Sequence, residues 1–318
     1  VYEAERDGRI YFTDEVSVSS HAASMGGSQV YLEEGERQSV EELVKCVSIA
    51  SANDAAVALA EYIGGSEDGF VEMMNERAKE LGMEDTTFKN ACGLDGDGHL
   101  SSARDIAVMS AELLRNFPEI TEYTTTWQDS LTHSTRRGTS EFGLTNTNKL
   151  VKWYEGATGL KTGSTSEAKY CLSASAKRGD MELVAVIMAA PDNKSRFSEA
   201  MELLDYGFAS YSLVSVYPDS PLAPIPVLLG EQGQVQPQLA RECRLLVRKG
   251  EESQVTTQLT VAQDVEAPVD QGQTLGQMEV YVGGELRDTI PIVSAQQVDR
   301  LTVPGIFGQL LRQLLMAR

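Results

Sequence analysis

Between Gly156 and Ala190 the chain spells out a strand edge followed by a hairpin, and few folds can accommodate that order. Gly156-Ala-Thr-Gly-Leu-Lys-Thr-Gly163 runs from a turn of small residues into Lys161-Thr162-Gly163. The runs 168–178 and 181–190 are rich in apolar and β-forming residues, and Arg178-Gly179-Asp180 separates them, the pattern of an antiparallel hairpin. A strand edge carrying Lys161, Thr162 and Gly163 offers a cation, a hydroxyl and bare backbone side by side. Such an edge suits an anionic, peptide-like ligand laid along it as an extra strand. A side chain at position 163 would hold that ligand off the backbone. Lys-Thr-Gly is a common triplet, so its meaning depends on a partner elsewhere in the chain.

Upstream, 10–20 and 28–32 read as short strands around a Gly26-Gly27 turn. Ser39-x-x-Glu42 is a capping box opening an amphipathic helix with Val40, Leu43, Val44 and Val47 on one face, running to about Ile49. Ser51-Ala52-Asn53-Asp54 interrupts it, and Asn53-Asp54 can cap a second helix over 55–63 that Gly64-Gly65 ends. On its own this is a helix–helix junction. Further helices are predicted over 70–81, from Ser102 through Leu114, and over 193–208 after the hairpin.

From about Leu213 the texture changes. Pro218, Pro221, Pro224 and Pro226 mark a linker or edge, and short alternating runs follow at 243–249, 254–261, 274–282 and 285–293, separated by turns such as Gly283-Gly284. They predict an all-β sandwich. The expected organisation is an α/β (α+β) unit over 1–212, then the sandwich over 213–303 and an amphipathic helix over 304–318. In that last segment Ile306, Phe307, Leu310, Leu311, Leu314 and Leu315 form an apolar stripe opposite Arg312 and Gln313. The three segments carry net charges of −16, −6 and +2. A cationic amphipathic tail can lie flat on an anionic membrane; packing on its own protein or on a second copy is the alternative.

A formal charge of −20 argues against a nucleic-acid partner, which needs a basic face. No apolar run approaches the 18 or so residues of a membrane span. Cys46, Cys92, Cys171 and Cys243 form no C-x-x-C pair, and His21, His99 and His133 lie far apart, so a zinc site has little to stand on.

Together, Ser51-Ala52-Asn53 at a helix junction and Lys161-Thr162-Gly163 on a strand edge resemble two of the three motifs of the penicillin-recognising serine enzymes. Ser48-Ile-Ala-Ser-Ala-Asn-Asp-Ala-Ala-Val-Ala-Leu-Ala60, Phe88-Lys-Asn-Ala-Cys-Gly-Leu94, His99-Leu-Ser-Ser-Ala-Arg-Asp105 and Asn146-Thr-Asn148 narrow the resemblance to the low-molecular-mass penicillin-binding proteins, the D-alanyl-D-alanine carboxypeptidases. It covers essentially the whole chain and implies a penicillin-binding-protein/β-lactamase-like transpeptidase domain, an antiparallel sheet with helices on both faces. It implies a serine acyl-transfer peptidase that trims the terminal D-Ala from peptidoglycan stem peptides ending in D-Ala-D-Ala, is blocked by β-lactams, and uses no metal or organic cofactor. In such enzymes the serine of a Ser-x-x-Lys motif attacks, its lysine acts as base, and two backbone N–H groups hold the oxyanion. Carried over, Ser51 relays a proton toward the leaving amine, and Asn53 bonds the substrate amide or the catalytic lysine. Lys161 supplies positive charge, Thr162 binds the terminal carboxylate, Gly163 admits the strand, and Arg196 supports the carboxylate contact. The substrate implies an exported protein at the outer face of the cytoplasmic membrane, held there by 304–318.

The first motif is missing. The one Ser-x-x-Lys is Ser166-Glu-Ala-Lys169, three residues past Gly163, where a turn or strand does not put i and i+3 on one face. Val1-Tyr-Glu-Ala4 resembles the continuation of the helix bearing the nucleophile, so the attacking serine and base lysine are expected just upstream of Val1, and these 318 residues alone are expected to be inactive. Three other readings fit less well. A class A-type β-lactamase would have Asp where Ala52 stands and would lack the β module and tail. A non-catalytic peptidoglycan-binding or scaffold protein is compatible with the missing motif. A Ser-His-Asp hydrolase lacks its Gly-x-Ser-x-Gly.

Overall fold

The computed structural model describes residues 1–305 and residue 307. The chain divides into two compact units, Val1–Phe208 and Ala209–Arg318. The first opens with α1 (Tyr2–Arg6), β1 (Glu15–Ser17), α2 (Ser20–Ala23) and β2 (Arg37–Ser39), β1 and β2 being antiparallel. Helices α3 (Val40–Ala50), α4 (Asn53–Gly64), α5 (Glu67–Glu80) and α6 (Ala103–Asn116) follow. Then come α7 (Thr121–Thr124), a hairpin of β3 (Gln128–Thr135) and β4 (Gly138–Thr145), and α8 (Leu150–Trp153). The unit closes with β5 (Ala157–Thr165), β6 (Lys169–Arg178), β7 (Met181–Ala190) and α9 (Asn193–Ser210).

Helix starts are fixed by side chains that satisfy otherwise orphaned N–H groups. Ser39 Oγ accepts from Glu42 N at 3.1 Å, and Ser102 Oγ accepts from Asp105 N at 3.2 Å. The other half of the expected capping box differs, because the Glu42 carboxylate turns to Lys45 Nζ at 2.9 Å. The α3 face of Val40, Leu43, Val44 and Ile49 packs with Val16, Val30, Leu131, Leu144 and Leu160 in one core.

The three strands β5, β6 and β7 form an antiparallel sheet in that order, so β5 is an edge. On β6 the side chains alternate. Leu172, Ala174 and Ala176 pack against Phe197, Ala200 and Leu204 of α9, while Ser173 Oγ lies 2.7 Å from Ser110 Oγ of α6. Helices therefore cover both faces, as the resemblance implies.

Three expectations fail in this unit. Of 10–20 only Glu15–Ser17 is a strand, and 28–32 is none. In 28–32 the buried Val30 and Leu32 mimic strand alternation, but their N–H groups are held by one carboxylate: Asp54 accepts from Val30 N at 3.2 Å and from Leu32 N at 3.0 Å. That use of Asp54 also corrects its predicted role as a cap. The N-cap of α4 is Ala52, with no side-chain hydrogen bond. The β3–β4 hairpin was not anticipated, because Leu131, His133 and Leu144 are the few buried points in a run rich in Ser, Thr and charge.

The second unit is all β. It contains β8 (Tyr211–Val216), β9 (Ile225–Leu228), β10 (Gln234–Val235), β11 (Pro237–Leu239), β12 (Cys243–Arg248), β13 (Val255–Val261), β14 (Val265–Glu266), β15 (Thr274–Val282) and β16 (Glu285–Ser294). A four-stranded sheet, β11-β16-β15-β13, presents Met278, Val280, Ile290 and Ile292 to Val216 of β8 and Cys243 of β12, which pair with each other. The proline-rich stretch is more than a linker, since Ile225 and Val227 are buried on either side of exposed Pro226 in β9, which pairs with β10 and β14. All four cysteines are unpaired, with Cys46 and Cys243 buried. The predicted helix over 304–318 falls almost wholly outside the described residues.

Replacing Asp54 by Ala leaves the buried amides of Val30 and Leu32 without an acceptor, which should cost about 2–4 kcal/mol. Denaturant unfolding of Asp54→Ala against the parent checks this; an unchanged midpoint would mean that the 28–32 segment is held by something else.

Candidate active site

Helix α3 stops because Ser51 adopts a left-handed backbone, φ 61° and ψ 38°, with its N–H turned back to Cys46 O. For a residue with a Cβ this conformation costs about 1–2 kcal/mol. The turn sends the chain through buried Ala52 into α4 and leaves the Ser51 side chain at the mouth of the junction. There Ser51 Oγ meets Lys161 from the edge strand β5, whose Nζ donates to it at 2.6 Å and to Thr162 O at 2.8 Å. Residues 110 apart in sequence thus meet head to head.

Asn53 is 9% exposed and tightly held. Its Nδ2 donates to Gly26 O at 2.7 Å, and its backbone N–H donates to Ser28 O at 2.8 Å. Its Oδ1 has no partner among the described residues. Neighbouring Gly27 must be glycine: it has φ +82°, and an added Cβ would lie 2.8 Å from Asn53 Nδ2.

Thr162 is buried on β5 opposite Leu172. Its Oγ1 donates to Thr147 Oγ1 at 2.7 Å. Thr147 is not among the predicted site residues, although it is the threonine of the Asn146-Thr-Asn148 stretch that carries the resemblance. It is carried by a rigid loop in which Asn146 Nδ2 donates to Thr124 O and Thr126 O at 3.0 and 2.8 Å, and Asn148 N donates to Asn146 Oδ1 at 2.8 Å. Thr147 N in turn donates to Ile49 O at 3.1 Å, tying the loop to the end of α3. The signal was a threonine between two buried asparagines, but its meaning depends on the contact with Thr162.

Gly163 is exposed, and a Cβ there would meet nothing within 4 Å. Any need for glycine at this position therefore comes from a ligand, not from the protein. The glycine that the strand itself requires is Gly159, with φ +149° and Thr124 Oγ1 2.8 Å from a would-be Cβ. Arg196 is 7% exposed, and its Nη1 donates to Gly163 O at 3.1 Å and to Cys171 O at 3.2 Å. It lies over the rings of Tyr170 and Phe197. The structure thus joins Ser51 to Lys161 and Thr162 through hydrogen bonds, with Asn53 and Gly163 next to them in the chain and Arg196 bonded to the Gly163 carbonyl. Ser166-Glu-Ala-Lys169 spans the β5–β6 turn, with Lys169 at φ 55°, and belongs to no helix.

Burial pushes the Lys161 ammonium down to about 8, and the Arg196 charge adds to the shift. Two cations in a protein of net charge −20 make this cleft an exception to its surroundings. Chemically, it offers a hydroxyl pair at Thr162 and Thr147, a lysine close to its own titration point, a serine hydroxyl bonded to that lysine, and an open strand edge.

Residues 1–192 match the protein family described as D-alanyl-D-alanine carboxypeptidase, and residues 211–300 match the C-terminal domain of penicillin-binding protein 5. The chain is 41% identical over 302 residues to the D-alanyl-D-alanine carboxypeptidase DacF of Bacillus subtilis, covering 94% of this chain and 77% of that protein. DacC of Escherichia coli is 32% identical over 319 residues, covering 97% and 77%. The crystal structure of penicillin-binding protein 5 from Haemophilus influenzae aligns with a TM-score of 0.76 at 29% identity, over 94% of this chain and 86% of that one.

The Lys161 shift gives a pH dependence of known sign. Below about 8 the ammonium is charged and attracts a carboxylate ligand, and above it that attraction is lost, so affinity for a dipeptide acid should fall as pH rises through about 8. The folded lysine releases its proton earlier than the unfolded one, so stability itself rises with pH between about 8 and the ordinary lysine range. Calorimetric titrations across this window, with Lys161→Met as the flat control, check the first statement; an unchanged slope in the variant would assign the effect elsewhere.

Proposed function

Because the chain belongs to the D-alanyl-D-alanine carboxypeptidase family, we propose that its cleft binds the D-Ala-D-Ala end of a peptidoglycan stem peptide through the residues described above. The family's reaction is serine acyl transfer: removal of the terminal D-Ala from the stem peptide through an acyl-enzyme that β-lactams trap. It takes place at the cell wall, outside the cytoplasm.

The observation that carries the residue assignment is the Lys161–Ser51 hydrogen bond. With Lys161 donating, Ser51 Oγ is an acceptor on that side, and its own O–H is left to point into the cleft. When the peptide C–N bond breaks, the departing amine needs a proton. Ser51 gives its hydroxyl proton to that nitrogen and recovers one from Lys161 Nζ, and a lysine titrating near 8 is well matched to such a transfer at neutral pH.

Thr162 anchors the terminal carboxylate. Without a ligand Thr162 gives its one hydroxyl proton to Thr147; on binding it turns that proton to the carboxylate, and Thr147 donates to Thr162 in its place. The peptide runs along the outer edge of β5, where exposed Gly163 leaves its backbone open to strand-like hydrogen bonds. Asn53, held by Gly26 O, turns its free Oδ1 toward the amide of the ligand. Arg196 holds Gly163 O and so acts on the carboxylate through the shape of the strand. The attacking serine is assigned to none of residues 1–318, since the one Ser-x-x-Lys begins at Ser166 in the β5–β6 turn and not on a helix.

Among the described residues no helix is long and apolar enough to cross a membrane. Contact of 304–318 with an anionic membrane is supported by its apolar stripe and its net charge of +2.

Three measurements test these assignments. Incubated with excess benzylpenicillin, the 318-residue chain should show no stoichiometric adduct by intact mass; an adduct would mean that a serine within it reacts, and peptide mapping would begin at Ser51 and Ser166. An N-acetylated peptide ending in D-Ala-D-Ala should bind without turnover, and Thr162→Ala should weaken it about tenfold or more, the loss of a hydrogen bond to a charged group, while leaving the C-terminal amide analogue unaffected. Equal losses for both ligands would remove Thr162 from the carboxylate. Removal of residues 304–318 should abolish co-sedimentation with anionic vesicles, and retention would place the contact elsewhere.

A further inference from the structure

A second cavity, of about 380 Å³, lies along the β3–β4 hairpin, with Tyr31, Glu33, His133, Arg137, Ser140 and Phe142 in its wall. None of these residues belongs to the constellation around Lys161. The volume is that of a small-molecule site.

Its floor is built with care. The Glu36 side chain is fully buried, and its Oε1 accepts from Gln38 Nε2 at 2.8 Å while its Oε2 accepts from Glu33 N at 2.9 Å. His133 Nδ1 lies 2.9 Å from the same Oε1. That contact, with Nδ1 donating to the carboxylate, fixes the ring. His133 is 7% exposed, yet its Nε2 has no partner among the described residues. An imidazole held in orientation thus lines the cavity with one nitrogen left free for a ligand.

The rim says which ligand chemistry fits. Arg137 and Glu33 pair at 3.4 Å, so the rim is close to charge-balanced and is a poor anion site. Tyr31 is 63% exposed and sits edge-on to Phe142 with ring centroids 5.8 Å apart, which leaves an aromatic face open. An aromatic face, a fixed imidazole, a serine hydroxyl and planar charged groups suit a ring with an apolar C–H face and polar substituents around its edge, which is a sugar.

Position gives that sugar a source. Both walls of the cavity start at the active site. One is the segment that Asn53 and Asp54 hold through Gly26 O, Ser28 O and the Val30 and Leu32 amides. The other is the hairpin that leads to Thr147, running along α3 from Ile49 O, bonded to Thr147 N, to Gln38, whose Nε2 donates to Thr132 O at 2.9 Å. Phe142 is five residues from Thr147, at most roughly 17 Å along an extended chain. An extended pentapeptide spans about the same distance. A pentapeptide with its carboxylate at Thr162 is therefore long enough for its far end to reach the cavity.

We infer that this cavity is a glycan subsite, holding the N-acetylated sugar ring that carries the stem peptide. This rests on the reading of Thr162 as the carboxylate anchor.

The test is calorimetric titration of the 318-residue chain with N-acetylmuramoyl pentapeptide and with the same pentapeptide N-acetylated but lacking the sugar. The sugar-bearing ligand should bind about tenfold more tightly, the increment of one good aromatic contact. Tyr31→Asn, a residue that tolerates the φ of 63° there, should remove that increment and leave the bare peptide unchanged, and Ser140→Ala should reduce it in part. Thr162→Ala should weaken both ligands together. Equal binding of the two ligands by the parent chain, or equal loss of both in Tyr31→Asn, overturns the glycan subsite and leaves the carboxylate reading intact. Failure of Thr162→Ala to weaken either ligand overturns the anchor and the subsite with it.

Discussion

The contact on which the cleft depends is the hydrogen bond from Lys161 Nζ to Ser51 Oγ. It joins the edge of a sheet to the break between two helices, and each side has paid for the meeting in strain or burial. Ser51 holds a left-handed backbone that a residue with a Cβ avoids. Lys161 keeps its ammonium where burial pushes its pKa down to about 8. Neither choice improves a helix or a strand taken alone. Both make sense once the two groups must sit within bonding distance in a place that water leaves poorly solvated.

The surroundings show how a flexible side chain is made to hold still. Thr162 is fixed by Thr147, Thr147 by the end of α3, and its loop by two buried asparagines. Asn53 and Asp54 brace the facing segment through carbonyls and amides of 26–32. Few of these contacts are between charges, so they are little weakened by salt and their geometry is set by hydrogen-bond direction. The result is a cleft whose groups are oriented before a ligand arrives, the condition under which electrostatic stabilisation costs no reorganisation.

Elements whose signal is local were legible. The caps at Ser39 and Ser102, the stop at Gly65 and the tight turn at Gly179 each depend on a few adjacent residues, and each lies where the sequence puts it. Elements whose partner is distant were not. Val30 and Leu32 looked like a strand because alternation reports burial, and burial there is achieved with the Asp54 carboxylate in place of a neighbouring strand. The β3–β4 hairpin was invisible because it buries so few residues that period two hardly registers.

By itself the sequence determined the antiparallel hairpin with its Lys-Thr-Gly edge, the helix junction at Ser51-Ala-Asn53 and the β-rich second unit. These are set by propensity, capping and residue type, which act over a few positions. Only the tertiary structure decided that Thr147 stands behind Thr162, that Arg196 grips the strand from behind, that Gly159 and not Gly163 is the glycine the protein itself needs, and that Glu36 and His133 lock together beneath a cavity. Each of these depends on groups tens of residues apart reaching hydrogen-bond or van der Waals distance, and no local rule carries that distance.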